Sequence, residues 1–256
     1  MDDFLKSRIR DLDRTAWERD VTKHTGFLTA SEQSDLLAWE KELSHPERFF
    51  AGGWPEAERR MLIWPASYEE AATGGSSGSL AEELIALVKA EPVNVKFADA
   101  LTHRDYLGAL MNLGIERDQI GDILIRENTA YIFCAKALAG LIVDELTRVK
   151  HTGIRTEAVP LSECDIRPEL SEMKVNVASE RLDAILSAVY KVSRSKAAEA
   201  IESEKVFVDG RTASGSGQKL KEGAKVSVRG LGKFIYDGIE SESRKGRLFV
   251  KIRKYI

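Results

Sequence analysis

An α+β fold divided among several small domains is the expectation from this sequence, on three observations. The 256 residues are 43% apolar, enough for more than one core. Helical and strand periods alternate along the chain rather than segregating into separate halves. Charge is unevenly placed: residues 175–256 hold 17 Lys and Arg against 10 Asp and Glu, leaving 21 against 31 for residues 1–174. The formal net charge of −3 therefore conceals a body of −10 and a tail of +7. A basic tail on an acidic body points to a polyanion met through the tail.

Residues 3–24 and 31–44 read as helices, the second started by Thr29 or Ser31 and carrying Leu36, Leu37, Trp39 and Leu43. Gly52-Gly53-Trp54-Pro55-Glu56-Ala57-Glu58-Arg59-Arg60 then leads into an apolar strand, Met61-Leu62-Ile63-Trp64. Two glycines, an aromatic and a proline ahead of a short turn indicate a fixed loop that something approaches closely. Arg59 and Arg60 are candidates for meeting RNA backbone there. The alternative is a turn that lets Trp54 pack and pairs both arginines with Glu56 or Glu58. Thr73-Gly74-Gly75-Ser76-Ser77-Gly78-Ser79 has the composition of a flexible linker, so residues 1–79 form a first, N-terminal α+β region.

Residues 80–168 form the second domain. A helix is expected at 80–90, a strand at 93–98, a helix at 103–113, strands at 122–126 and 130–135, a helix at 136–149 and a strand at 154–159. That order is βαββαβ, the ferredoxin-like plan also used by RNA-recognition-motif domains, which makes this an RRM-like candidate for RNA binding. Thr102 and Asp105 supply a capping box for the helix at 103. Phe97, Tyr131 and Phe133 fall on predicted strands, where base stacking competes with the commoner role of core packing. His103, Arg104 and Asp105 in succession do not form a catalytic group, because adjacent helical residues point about 100° apart. Capping and surface charge is the favoured reading, with His103 and Arg104 as candidate contacts to RNA or another partner.

The third domain, 175–256, is the most informative. Leu182, Ile185, Leu186 and Val189 share one face of a short helix, leaving Arg181 and Lys191 free to point at a partner. Ser193 sits at an N-cap position, and Arg194, Ser195 and Lys196 fill the first turn that follows. Cations there oppose the helix dipole, so an anion is expected where free backbone N–H groups and the two charges converge. Val206 and Val208 alternate with Lys205 and Phe207, Asp209-Gly210 signals a tight turn, and Val226 and Val228 lead to Arg229-Gly230. Lys233–Tyr236 and Leu248–Ile252 form a further hairpin through Ser243-Arg244-Lys245-Gly246. This succession closely resembles the S-four RNA-binding domain, or αL motif. The resemblance implies an RNA-facing surface at Arg181, Ser193, Arg194, Ser195, Lys196, Lys205 and Arg211, and the basic strands that follow add Arg229 and Lys233. Asp209 stands where that family more often has Asn, and its negative charge works against a direct RNA contact.

Gly52-Gly53 with Ala57-Glu58-Arg59-Arg60, the run Thr102–Leu110, Gly121-Asp122-Ile123 and the C-terminal module together resemble the bacterial YlmH family over nearly the whole chain. The resemblance implies a non-enzymatic RNA-binding protein, encoded near cell-division genes, that associates with the large ribosomal subunit and peptidyl-tRNA during rescue of obstructed translation. Its partners would be rRNA, tRNA or both. The alternative is an RNA-modifying enzyme or its accessory, of the pseudouridine-synthase kind, because the same module is fused to such enzymes. Those need a catalytic Asp motif or a Gly-rich cofactor loop, and the sequence offers neither. No catalytic residue, cofactor, metal or small-molecule substrate is expected: Cys134 and Cys164 match no metal spacing, and Cys134 reads as a buried structural thiol. With no run of 18 apolar residues, no transmembrane helix is expected, and the charged start shows no signal-peptide pattern. Together with two widely spaced cysteines, this makes a cytoplasmic location the expectation.

Overall fold

The computed structural model describes residues 3–69, 77–164, 166, 170–243 and 246–255; Thr73 to Ser76 of the linker and Arg244 and Lys245 of the hairpin turn lie outside them. The chain divides into two compact units, Met1–Arg167 and Pro168–Ile256. Each combines helices with antiparallel sheet, so the class is α+β.

The first unit opens with α1 (Asp3–Arg19), β1 (Lys23–His24), α2 (Ala30–Trp39), β2 (Phe49–Ala51) and β3 (Met61–Trp64). Both expected N-terminal helices are shorter than their apolar patterns. The first ends before His24, which joins a strand opposite Ile63, and the second gives way to a 3-10 turn at Glu40–Glu42. Thr29 is the N-cap of α2, with Glu32 closing a capping box. The three strands form a small sheet in the order β1-β3-β2.

Next, α3 (Ser77–Leu84) hands directly to β4 (Ile85–Pro92). The helix expected over 80–90 and the strand expected over 93–98 are both displaced: the strand is 85–92, and Val95–Phe97 is a 3-10 turn. Ile85, Ala86, Leu87 and Val88 are all buried, so both faces of β4 are covered and its sequence is a continuous apolar run without a strand period. Beyond it come α4 (His103–Asn112), β5 (Ile120–Arg126), β6 (Thr129–Ala135), α5 (Ala139–Glu145), β7 (Arg148–Val149) and β8 (Thr152–Val159). The helix expected over 136–149 is confined to α5 after a 3-10 turn at Lys136–Leu138, and its end is a strand. Pairing is antiparallel throughout, in the order β5-β6-β4-β8-β7. One face packs Ala86, Val88, Ile132 and Cys134 against Tyr106 and Leu110 of α4 and Ile142 of α5. The other packs Ile85, Leu87 and Phe133 against Phe27, Met61, Ile63 and Leu80. Burial holds the Cys134 thiol at about 12, consistent with an inert structural group.

The second unit runs β9 (Leu170–Val177), α6 (Leu182–Tyr190), α7 (Arg194–Glu202), β10 (Val206–Val208), β11 (Arg211–Thr212), β12 (Lys225–Val228), β13 (Gly232–Glu242) and β14 (Leu248–Tyr255). Its sheet has the order β11-β10-β12-β13-β14-β9. The apolar face of α6 meets Ala197 and Ile201 of α7 over Val206, Val226, Val228, Phe234, Val250 and Ile252. Each fully buried aliphatic side chain there contributes roughly 1.5–3 kcal/mol. Strand β9 has no counterpart in the sequence reading; it pairs along all of β14, from Val177 opposite Leu248 to Leu170 opposite Tyr255. At the tight turn, Asp209 and Gly210 both take positive φ, +50° and +79°, the conformation a two-residue hairpin requires. Glycine adopts it freely, and Asp209 is tied into it by its own carboxylate, which accepts from the Lys225 N–H at 2.9 Å.

Candidate nucleic-acid interface

In the second unit, Arg181 is the N-cap position of α6 and Ser193 that of α7, and the chain between them turns through Lys191 at φ +53°. The first two N–H groups of α6 are satisfied by the long loop that precedes β12: Leu182 donates to the Gln218 carbonyl at 3.0 Å and Asp183 to that of Ser216 at 3.2 Å. Ser193 caps α7 as expected, its hydroxyl accepting from the Lys196 N–H at 3.2 Å, and Ser195 Oγ lies 3.0 Å from Ser193 Oγ. All four side chains from Ser193 to Lys196 are exposed.

The charges of that first turn separate. Arg194 and Lys196 are two positions apart on a helix and so face different sides. Arg194 Nη2 reaches both oxygens of Asp183 at 3.2 Å. Arg181 meets the same carboxylate with two bonds, 3.1 Å from Nε and 3.2 Å from Nη2. Burial raises the Asp183 carboxyl, and the hydrogen bonds from Arg181 and Arg194 more than reverse that, leaving it below the ordinary carboxylate value. One buried aspartate thus holds two guanidinium groups side by side. Their side chains remain 47% and 53% exposed against 8% for Asp183, so each keeps N–H donors turned to solvent. The single anion site expected from convergence of Arg194 and Lys196 is replaced by this arginine pair and by a second group centred on Lys196.

The second group surrounds a surface cleft of about 210 Å³ whose lining includes Lys196, Lys205 and Arg229. Val206 pairs with Val228 at the end of the β10/β12 ladder, and the Arg229 N–H donates to the Lys205 carbonyl at 2.9 Å, which brings those two positions together. The Arg229 guanidinium sits 5.0 Å over the Phe207 ring. Arg211, opposite Val208 on edge strand β11, and Lys233, opposite Ser227 on β13, are exposed but do not line the cleft. Along β13, β14 and β9 cations are offset by acids: Lys251 pairs with Glu172, Arg253 with Asp237 and Lys174 with Glu240.

In the first unit, the candidates at Arg59 and Arg60 have structural roles. Arg59 donates from Nε to the Ile120 carbonyl at 3.0 Å and from Nη2 to those of Phe27 at 2.6 Å and Arg117 at 3.2 Å. Arg60 Nε donates to the Ala57 carbonyl at 2.7 Å. The loop itself is pinned by buried Asp122, which accepts from Trp54 Nε1 at 2.9 Å and from the backbone N–H groups of Glu58 at 2.8 Å and Arg59 at 3.1 Å. Gly52 is required by close approach, since a Cβ there would lie 2.3 Å from that of Ala57 and 2.6 Å from the Arg59 carbonyl oxygen. The long-range role of Asp122 has no local signal in the sequence. His103 and Arg104 are exposed at the start of α4. Partial burial of the ring and then the nearby Arg117 guanidinium lower the His103 pKa from its ordinary value. Of the aromatic residues considered for stacking, Phe133 is fully buried, its ring stacked on Trp54 at 6.4 Å, and Tyr131 is partly buried in the same core. Phe97 lies off the sheet and is 78% exposed.

Residues 85–163 match the family described as "Putative RNA-binding domain in YlmH", and residues 180–226 match the S4 domain. The chain is similar to the Bacillus subtilis (strain 168) "Ribosome-associated protein quality control protein P2", 28% identical over 240 residues that span 90% of this chain and 88% of that one. It is also similar to the solved structure of "Cell division protein ylmH from Streptococcus pneumoniae", 24% identical with a TM-score of 0.48 over 63% of this chain and 92% of that one. The chain is thus similar to YlmH proteins through its middle region, and its C-terminal unit contains a match to the S4 domain.

Proposed function

We propose that this chain is a non-enzymatic RNA-binding protein that grips structured rRNA or tRNA through its C-terminal domain and associates with the large ribosomal subunit, in the cytoplasm, during translation rescue or ribosome quality control. The observation that carries the reading is the grouping of exposed cations on the S4 unit. Arg181 and Arg194 are held together on Asp183, and Lys196, Lys205 and Arg229 ring one cleft. Paired guanidinium groups with free donors suit phosphate oxygens, and lysines beside them add sequence-independent attraction. The printed name of the Bacillus subtilis relative supports association with ribosomes.

The other boundaries follow as part of the same proposal: an N-terminal region of 1–79, an RRM-like domain of 80–168 and the S4-type domain of 175–256. Strand order β5-β6-β4-β8 around two helices supports the RRM-like reading of the middle domain. The N-terminal region packs over the sheet face that carries Phe133, so any RNA contact by the middle domain uses its loops and helix ends rather than that face. Ultraviolet crosslinking of the full chain in cells, followed by sequencing of the bound RNA, tests the proposal. Enrichment of large-subunit rRNA or tRNA over messenger RNA is expected, and recovery in proportion to cellular abundance would contradict it.

A further inference from the structure

The cleft on the S4 unit has properties that phosphate binding alone does not require. Its walls are apolar, formed by Leu186, Val192 and Ala200 together with Tyr190 and Leu231. The walls are fixed in place. Tyr190 donates its hydroxyl to the Gly232 carbonyl at 2.9 Å and sets its ring edge-on to Phe234 at 6.0 Å. The Leu231 N–H donates to the Val228 carbonyl at 3.0 Å, yet the Leu231 side chain stays 41% exposed at the mouth. Lys205 is held from the other side, its N–H donating to the Ala200 carbonyl at 3.0 Å. Around this apolar interior stand Lys196 from α7 and Lys205 and Arg229 from the strand ends, against one carboxylate, Glu199.

An apolar slot with cations on more than one side suits a flat ligand with apolar faces and negative charge on both flanks. An unpaired nucleotide within an RNA strand has that form: the base enters, and the phosphates before and after it meet the rim. Bases in duplex RNA are not available for this, whereas those in loops and bulges are. We propose that the cleft bordered by Tyr190, Leu231, Lys196, Lys205 and Arg229 receives one unpaired base of the bound RNA, so that this domain selects RNA containing a loop or bulge over continuous duplex. The proposal rests on the RNA-binding reading above and adds the structural class of RNA recognised.

The test compares the full chain on an RNA hairpin and on the same hairpin with its loop bases removed, leaving the sugar–phosphate intact. Loss of the bases is expected to weaken binding by roughly 5- to 150-fold, the range for one stacked base. Ala200→Phe fills the cleft without changing its charge, and Leu231→Ser removes an exposed wall. Either variant should lose the preference for the intact loop while keeping the salt dependence of the wild type. Equal affinity of the wild type for the two hairpins would overturn the cleft assignment, as would a preference unchanged in a folded Ala200→Phe or Leu231→Ser variant. So would displacement of the RNA by an acidic peptide at equal concentration, which would mark a protein segment as the occupant. Failure of the wild type to bind either hairpin, or binding insensitive to salt, would instead refute the underlying RNA-binding reading.

Discussion

The double variant Arg194→Ala, Lys196→Ala will stay folded and bind structured RNA roughly 25- to 60-fold more weakly at 0.1 M salt. Both side chains are exposed, and neither belongs to the buried core of the domain. Asp183 keeps Arg181 as its partner when Arg194 is removed, so the buried carboxylate is not left alone. Removing one phosphate-binding cation should reduce the slope of log K against log salt by about 0.7 to 0.9, and removing two by roughly twice that. Measuring affinity across a salt series therefore separates the absence of these two cations from general damage. A slope and affinity equal to those of the wild type would show that RNA meets the chain elsewhere.

Asp122→Ala should have the largest effect on the first unit, a loss of roughly 3 to 5 kcal/mol in unfolding free energy. The carboxylate accepts three hydrogen bonds in a buried setting, two of them from backbone N–H groups that gain no other acceptor when it is removed. Each buried donor left without a partner costs about 1 to 3 kcal/mol, partly offset if water enters the vacated space. Arg59 lies beside the same carboxylate and depends on the loop geometry to reach its three carbonyls. Thermal unfolding should show a drop on the order of 10 °C. Asp122→Asn, which retains one acceptor oxygen, should lose less. A change below about 1 kcal/mol for the alanine variant would mean that the loop is held by its glycine and tryptophan packing alone.

Features set by spacings of a few residues are the ones a sequence displays. The α6 face, the Ser193 cap and the Asp209-Gly210 turn are of this kind, and each stands where the pattern places it. Strand β4 was hidden because a strand covered on both faces loses the alternation that identifies strands, and the preceding helix made the apolar run resemble its continuation. Strand β9 has Met173, Val175 and Val177 in alternation, but its place depends on pairing with β14, more than 70 residues further on. The candidate site was legible in residue type and obscure in arrangement. That Arg181, Asp183 and Arg194 form one group depends on how two helices meet. The fate of Arg59 was less accessible still, since its acceptors are backbone carbonyls, which every residue possesses. Its neighbour Arg117, drawn down to about 10 by burial and by Arg59 itself, is likewise turned to carbonyls, those of Ile120 and Gly121.

The Gly52–Arg60 loop is thus locked onto the sheet of the first unit through Asp122, and the cations proposed to meet RNA lie on the second unit. Amide hydrogen exchange of the full chain, with and without a bound RNA hairpin, tests that assignment most directly. Protection is expected in the first turn of α7 from Arg194 to Ala197 and in the Arg229–Leu231 turn, with the paired surface of β9 and β14 unchanged. Protection confined to β9 and β14, or to the Gly52–Arg60 loop, would contradict it.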